Sequence, residues 1–131
     1  MCVSAEQSMM LIVRMTTTGV LSRAGLTLDE MDDMKMAVDE ACNLMLIQKP
    51  CYRKLDIRYE YTDEYVEVSV RGKEMLEKMD DASDPAVLQE VIGCILESVA
   101  DEVEMDSRAD GGIECICARK RIPQNRRRIA L

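Results

Sequence analysis

The segment from Thr27 to Gln48 constrains the fold of this chain most strongly. Its opening predicts a helix start, because the Thr27 side chain can cap the N-terminus and Glu30, three residues later, can complete a capping box. The apolar residues that follow recur at helical spacing and predict a buried face. They are Met31, Met34, Val38, Ala41, Cys42 and Met45. We therefore expect a long helix with one side packed against a core.

Glu40 falls almost opposite this face, at about 100° of rotation per residue. Its neighbours there are Met36, Leu44 and Ile47, so the helix carries a second apolar stripe around a carboxylate. A helix that is apolar on two sides is usually covered on both, by the core and by a ligand, a lid or a partner. Two interpretations remain open. Glu40 is a solvated side chain, as most glutamates are, or it belongs to a functional site.

Composition limits the class of protein. A chain of 131 residues corresponds to about one domain that can bury a core. Its six cysteines are scattered, contain no CxxC and have no histidine beside them, which favours reduced thiols in a cytoplasmic protein over disulfides or a metal site. No apolar run approaches the ~18 residues that span a bilayer, so we expect neither a membrane segment nor a signal peptide.

The net charge of −8 is unevenly distributed. From Arg119 onward there are six basic residues and no acid, which leaves 11 basic against 25 acidic residues in the remainder. An acidic body argues against direct binding of nucleic acid. We expect a domain over residues 1–122 and a basic tail over 123–131, which is either a solvated end or a contact for an acidic partner.

Hydrophobic periodicity predicts the remaining elements. They are a strand over 1–3, a helix over 5–24 that ends at Gly25, a hairpin of strands over 55–61 and 66–71, a loop or lid over 72–83, a helix opening at Asp84-Pro85, and strands over 103–105 and 113–119 joined by a turn over 110–112. Pro50 marks the end of the central helix. The expected apolar face of the first helix consists of Met9, Ile12, Val13, Thr16, Val20, Leu21 and Ala24. The order of the elements predicts an α/β (α+β) fold. We expect a two-layer sandwich whose mostly antiparallel mixed sheet carries three helices on one face.

The run DDMKMAVDEAC resembles the N box of bacterial anti-sigma factors that are also serine-protein kinases, in the GHKL or histidine-kinase-like ATPase superfamily. Upstream, VRMTTTGVLSRAGLTLDEMDDMK resembles the first helix and loop of those proteins. Downstream, ILESVADEVEM and IECICARK resemble a later helix-to-strand passage and the final strand. The resemblance implies a homodimer with a histidine-kinase-like ATPase fold. It also implies two partners, a sigma factor and a STAS-domain anti-anti-sigma protein.

The resemblance also assigns roles to individual residues. Glu40 matches the glutamate that acts as general base in the family. Four residues later the family has an asparagine that holds Mg²⁺ on ATP, whereas this chain has Leu44, which offers no oxygen. Asn43 is adjacent but turned about 100° away on the helix. Gln48 stands where these kinases often have histidine.

Two glycine motifs surround the nucleotide in the family, and each keeps one glycine here. Gly72 remains in VSVRGKEM and Gly93 in VIGCILES, so both are candidate nucleotide-binding residues. Val70 occupies the position of the aspartate that binds adenine. The segment 72–83 matches the lid.

Three hypotheses follow from this comparison. The first is a regulator that binds a sigma factor or a STAS-domain protein through a scaffold whose ATP site has degenerated. The second is an active ATP-dependent serine-protein kinase with Glu40 as its base. The third is a non-catalytic module that senses ATP or ADP. ATP or ADP with Mg²⁺ is a cofactor only under the second and third hypotheses.

Overall fold

A computed structural model describes residues 1–48, 51–76 and 86–123 of the chain. A 3₁₀ turn at Gln7–Met9 precedes the first helix. The helices and strands are β1 (Cys2–Ser4), α1 (Met10–Leu21), α2 (Leu28–Ile47), β2 (Tyr52–Tyr61), β3 (Tyr65–Met75), α3 (Ala86–Val99), β4 (Glu102–Ser107) and β5 (Ile113–Arg121). The expected α+β class is confirmed.

The described strands form a five-stranded sheet in the order β1-β2-β3-β5-β4, and each neighbouring pair is antiparallel. Helix α2 lies over the centre of the sheet and contacts both α1 and α3. The core lies between these two layers. Its central contact is made by Ala37, Val38 and Ala41 of α2 with Val68, Val70, Ile116 and Ala118 of β3 and β5, and this space is too narrow to hold water.

The central helix begins as the sequence predicts. Thr27 caps α2: its hydroxyl accepts a hydrogen bond from the Glu30 amide at 3.2 Å, and the Glu30 carboxylate accepts one from the Thr27 amide at 2.9 Å. Five residues of the expected apolar face are buried, and Met31 packs partly buried against the core. Pro50 and Asp84-Pro85, which were expected to end α2 and open α3, lie outside the described residues.

Helix α1 differs from its prediction in both start and face. It begins at Met10 because the preceding residues form the 3₁₀ turn. Its buried face is Met10, Val13, Thr17 and Leu21, whereas Ile12, which we expected to be buried, is exposed. The polar Thr17 fits the core because its hydroxyl lies 2.7 Å from both the Val13 carbonyl and the Tyr59 hydroxyl.

The hairpin is confirmed, but β3 is longer than expected. The loop or lid was predicted to begin at Gly72, whereas the strand continues to Met75, which pairs with Tyr52 of β2. The difference arises because β2 begins at Tyr52 and so supplies backbone partners beyond Gly72. Lys73 and Glu74 are exposed there, which makes their charges compatible with a strand. Residues 77–83 of the expected lid lie outside the described residues.

Lys120 joins three elements. Its ammonium group, on β5, donates to the Asp33 carboxylate of α2 at 2.9 Å and to the Val99 carbonyl of α3 at 3.0 Å. A cation is favoured at the C-terminal end of a helix, where carbonyl groups lack partners. Lys120 therefore places the C-terminal end of α3 beside the N-terminal half of α2.

The six cysteines lie in the described part of the chain and none is paired in a disulfide. In that same part, no helix is both long and apolar enough to cross a membrane.

Candidate functional site

Glu40 lies half-buried on the side of α2 that faces α3. Two ion pairs define the flanks of the helix. Arg14 of α1 bonds Asp39 at 3.0 Å on one flank, and Lys120 links Asp33 to α3 on the other. Around the helix axis, Glu40 is about 20° from Asp33 and about 100° from Asp39. Its carboxylate therefore belongs to the α2–α3 side of the molecule.

The second apolar stripe divides into a buried and an exposed part. Leu44 is 0% exposed and belongs to the core, whereas Met36 is 48% and Ile47 is 40% exposed. The position to which the resemblance assigns the Mg²⁺ ligand is thus occupied by a buried hydrocarbon side chain. Mg²⁺ requires oxygen ligands, so this position does not fit the ion. Asn43, one residue earlier, is half-buried.

Gly72 lies inside β3, opposite Leu55, and is buried. A Cβ atom at Gly72 would overlap the ring of Tyr52, so the glycine makes room for this aromatic side chain. Two residues before it, Val70 is 1% exposed and packs in the core. Val70 and Gly72 therefore pack against the chain's own side chains, and Val70 supplies no carboxylate for an adenine ring.

Arg108 extends this packed region. Its guanidinium lies 5.1 Å from the centre of the Tyr52 ring and 3.0 Å from the Asp110 carboxylate. A Cβ atom at Gly112 would overlap the same guanidinium, and the Gly112 amide donates to Asp110 at 2.9 Å. The sequence predicted the turn at residues 110–112 but gave no signal for this Tyr52–Arg108 contact, because the two residues meet only when β2 and the β4–β5 turn come together.

Gly93 lies within α3, where a Cβ atom would meet only the Met105 methyl group, at 3.8 Å. That is an ordinary van der Waals distance, so packing does not require glycine at this position. The assignment of Gly72 and Gly93 to nucleotide binding stays a prediction, and so does the role of Glu40 as a base.

Gln48 has a structural role that sequence reasoning missed. Its buried amide donates to the Ile113 carbonyl at 2.7 Å and accepts from the Ile113 amide at 2.8 Å. These two bonds fasten the end of α2 to the first residue of β5. The sequence held no signal for this pairing, because only the tertiary fold brings the two residues together.

A separate group of polar side chains lies on the sheet face away from the helices. Glu67 accepts from the Cys117 thiol at 2.8 Å and from Arg119 at 3.1 Å. Burial, together with the hydrogen bond to Glu67, raises the pKa of Cys117 to about 12. This thiol is therefore protonated at neutral pH and is a poor nucleophile. Within the described ranges, no cluster of three or more Cys, Asp or Glu side chains is arranged to hold a metal ion.

The chain is similar to curated serine-protein kinases. It is 40% identical over 72 residues to serine-protein kinase RsbW of Bacillus velezensis. This match covers 54% of this chain and 38% of the relative. It is 50% identical over 42 residues to serine-protein kinase RsbW of Bacillus subtilis. This match covers 32% of this chain and 26% of the relative. No family model matches the chain.

The matched segments thus span well under half of these relatives. They confirm the resemblance to the serine-protein kinases that the sequence motifs indicated.

Proposed function

We propose that this chain is a cytoplasmic anti-sigma-factor-like regulator. It controls transcription by binding a sigma factor, a STAS-domain anti-anti-sigma protein, or both, through a scaffold with a degenerate ATP site. One observation carries the proposal: the side chain of Leu44 is sealed in the core at the position that would hold Mg²⁺, while the surrounding helix and sheet are complete. The body that binds these partners comprises residues 1–122, and the basic tail over 123–131 lies outside it.

The physical case against catalysis rests on lost oxygen ligands. Phosphoryl transfer depends on neutralising phosphate charge, which metal ions and polar side chains provide. Leu44 replaces the Mg²⁺ ligand, and Val70 replaces the aspartate that binds adenine, in each case with buried hydrocarbon. Loss of one electrostatic group in an active site can lower the rate by ~10²-fold or more. The residues present therefore do not fit Mg²⁺–ATP.

A surface on α1 supports a homodimer. Leu11 and Met15 are 63% and 67% exposed, and Ile12 between them is also exposed. Gly19, one turn beyond Met15, has no atom within 4 Å of its Cβ position. Glycine destabilises a helix interior, and no contact within the described chain requires it here. An apolar stripe beside a glycine suits close approach of a second helix, so we place the dimer interface on α1.

Calorimetric titration of the purified chain with ATP and ADP, each with and without Mg²⁺, tests the degenerate site. We expect no heat of binding up to millimolar nucleotide. In parallel, the host's sigma factors and STAS-domain proteins are each mixed with the chain and analysed by size-exclusion chromatography. We expect a stable complex with at least one of them. Absence of every complex would contradict the regulator.

The runner-up function is an active serine-protein kinase. It is favoured by the half-buried Glu40 and by the name of the relatives. Tight, Mg²⁺-dependent nucleotide binding, followed by phosphate transfer to a STAS-domain protein, would establish it. Glu40→Gln should then abolish transfer, whereas Glu97→Gln, at an exposed position on α3, should not. Nucleotide-dependent partner affinity without transfer would instead indicate the ATP- or ADP-sensing module.

A further inference from the structure

Helices α2 and α3 form the walls of a groove. Both pack on the same side of the sheet and contact each other. Because Lys120 bonds Asp33 near the start of α2 and the Val99 carbonyl at the end of α3, the C-terminal end of α3 lies beside the N-terminal half of α2. On its other flank, α2 is bonded to α1 through Asp39 and Arg14. The groove therefore opens on the α3 side of α2, where Glu40 lies.

Apolar side chains line the α2 wall. Met36 and Ile47 lie within about 40° of Glu40 around the helix axis. They are 48% and 40% exposed, although large apolar side chains are mostly buried in folded proteins. Glu40 thus lies between two exposed apolar residues, with Met36 one turn before it and Ile47 two turns after it.

The α3 wall is also apolar. The Cβ position of Gly93 faces Met105 of β4, which is the edge strand farther from α2. The opposite side of α3 therefore faces α2, and by helical rotation it carries Leu88, Val91 and Ile95. Val91 is 52% exposed, and Leu88 is also exposed. Exposed apolar residues therefore occur on both walls, and we call these residues the apolar strip.

Glu40 is the charged group in this strip. Within residues 1–48, 51–76 and 86–123 it makes neither a hydrogen bond nor an ion pair. A carboxylate that becomes desolvated without a partner is costly, so a molecule that covers the strip must bring a donor to Glu40. A cationic side chain meets this requirement best.

We propose that the α2–α3 groove binds an amphipathic helix of a partner protein, with a Lys or Arg of its apolar face paired to Glu40. Two packed helices offer a groove of the shape that receives a third helix through apolar residues at i, i+3, i+4 and i+7. The charge of the chain, −8, also favours a basic partner segment. This inference rests on the proposed function, because it names the partner chemistry at the site where nucleotide binding is lost.

Fluorescence anisotropy with two synthetic peptides tests the proposal on the full chain. Both are 16-residue amphipathic helices with leucine at the positions named above, and they differ only in a central Lys or Glu on the apolar face. We expect the Lys peptide to bind about tenfold more tightly than the Glu peptide. Glu40→Gln should remove this preference, and Glu40→Lys should reverse it.

Matched variants locate the binding surface. Val91→Glu on α3 should weaken the binding of the Lys peptide at least tenfold. Leu28→Glu at the start of α2 introduces the same charge at an exposed apolar position outside the groove and should leave binding unchanged. Equal affinity for the two peptides would overturn the proposal. The same holds if Leu28→Glu, and not Val91→Glu, reduces binding, or if neither peptide binds.

The groove and the regulator can fail separately. If a sigma factor or STAS-domain protein forms a complex that Val91→Glu does not weaken, the groove assignment is wrong and the regulator stands. If no such complex forms but the charge-selective peptide binding is observed, the groove stands and the regulator is wrong.

Discussion

The side-chain amide of Gln48 joins two elements that are 65 residues apart in sequence. Gln48→Ala would leave the backbone amide and carbonyl of Ile113 buried without these partners. A buried polar group without a partner costs about 1–3 kcal/mol, so we expect a loss of roughly 2–4 kcal/mol in the free energy of unfolding. Urea denaturation, monitored by circular dichroism, measures this loss in the variant beside the parent.

Gln89 provides the control for this substitution. Its amide also donates to a backbone carbonyl, that of Gly111, but in an exposed position. Gln89→Ala should therefore change the unfolding free energy by less than about 0.5 kcal/mol, because water replaces the lost bond. Equal losses in the two variants would show that burial does not determine the contribution of Gln48.

Gly72 and Gly19 should respond oppositely to the same substitution. Gly72→Ala brings a methyl group into the ring of Tyr52 and should destabilise the fold by about 1–3 kcal/mol. Gly19→Ala meets open space within a single chain and should stabilise the monomer by roughly 1 kcal/mol, since alanine favours a helix over glycine. Thermal unfolding of the two variants beside the parent compares them. A stabilised Gly72→Ala variant would contradict the packing role of this glycine.

Cys42 should make the fold sensitive to alkaline pH. Burial, reinforced by the nearby Asp39, raises the pKa of this thiol from 9.0 to about 12 in the folded chain. The unfolded thiol therefore loses its proton first, so the stabilising contribution is complete below pH 9 and declines as the pH rises toward 12. The decline attributable to Cys42 is at most about 1.4 kcal/mol per pH unit.

Urea denaturation at pH 8, 9 and 10 compares the parent with Cys42→Ala. The variant should lose less stability between pH 9 and 10. The matched control is Cys94→Ala, because Cys94 is exposed, and this variant should follow the parent. Parallel curves for Cys42→Ala and the parent would contradict the effect of burial on the thiol.

The capping box of Thr27 and Glu30 fixes where helix α2 begins. Thr27→Ala removes the hydroxyl that accepts from the Glu30 amide, and it should cost about 1 kcal/mol. Hydrogen exchange should accelerate in the first turn of α2 and remain unchanged near Gln48. Thr18→Ala is the control, because the exposed Thr18 hydroxyl donates to the Arg14 carbonyl of its own helix. Slower exchange at the start of α2 in Thr27→Ala would contradict the cap.

A single charge in place of Met15 tests the proposed homodimer and its proposed interface on α1. Met15→Glu places a carboxylate in the proposed apolar contact and should convert the dimer into a monomer. Leu28→Glu is the control, because Leu28 is 79% exposed at the start of α2 and lies outside the α1 stripe. Analytical ultracentrifugation distinguishes the two states. A Met15→Glu variant that remains dimeric would place the interface elsewhere.

Local chemistry determined most of the elements from the sequence alone. The Thr27–Glu30 box, the helical spacing of α2 and the two-residue alternation in β2 and β3 act between neighbouring residues, so their signals are visible without the fold. The motifs also indicated the resemblance to the serine-protein kinases, which the curated relatives confirm. They identified Leu44 as a residue that offers no oxygen to a metal ion.

Long-range contacts decided the rest. The face of α1 depends on which side meets β2, so Thr17 is buried through its bond to Tyr59 while Ile12 is exposed. Gly72 lies in a strand because β2 extends alongside it, and Gln48 binds Ile113 because α2 ends beside β5. Whether a side chain is buried, and which group it bonds, depends on residues that are distant in sequence. Only the tertiary structure brings those residues together.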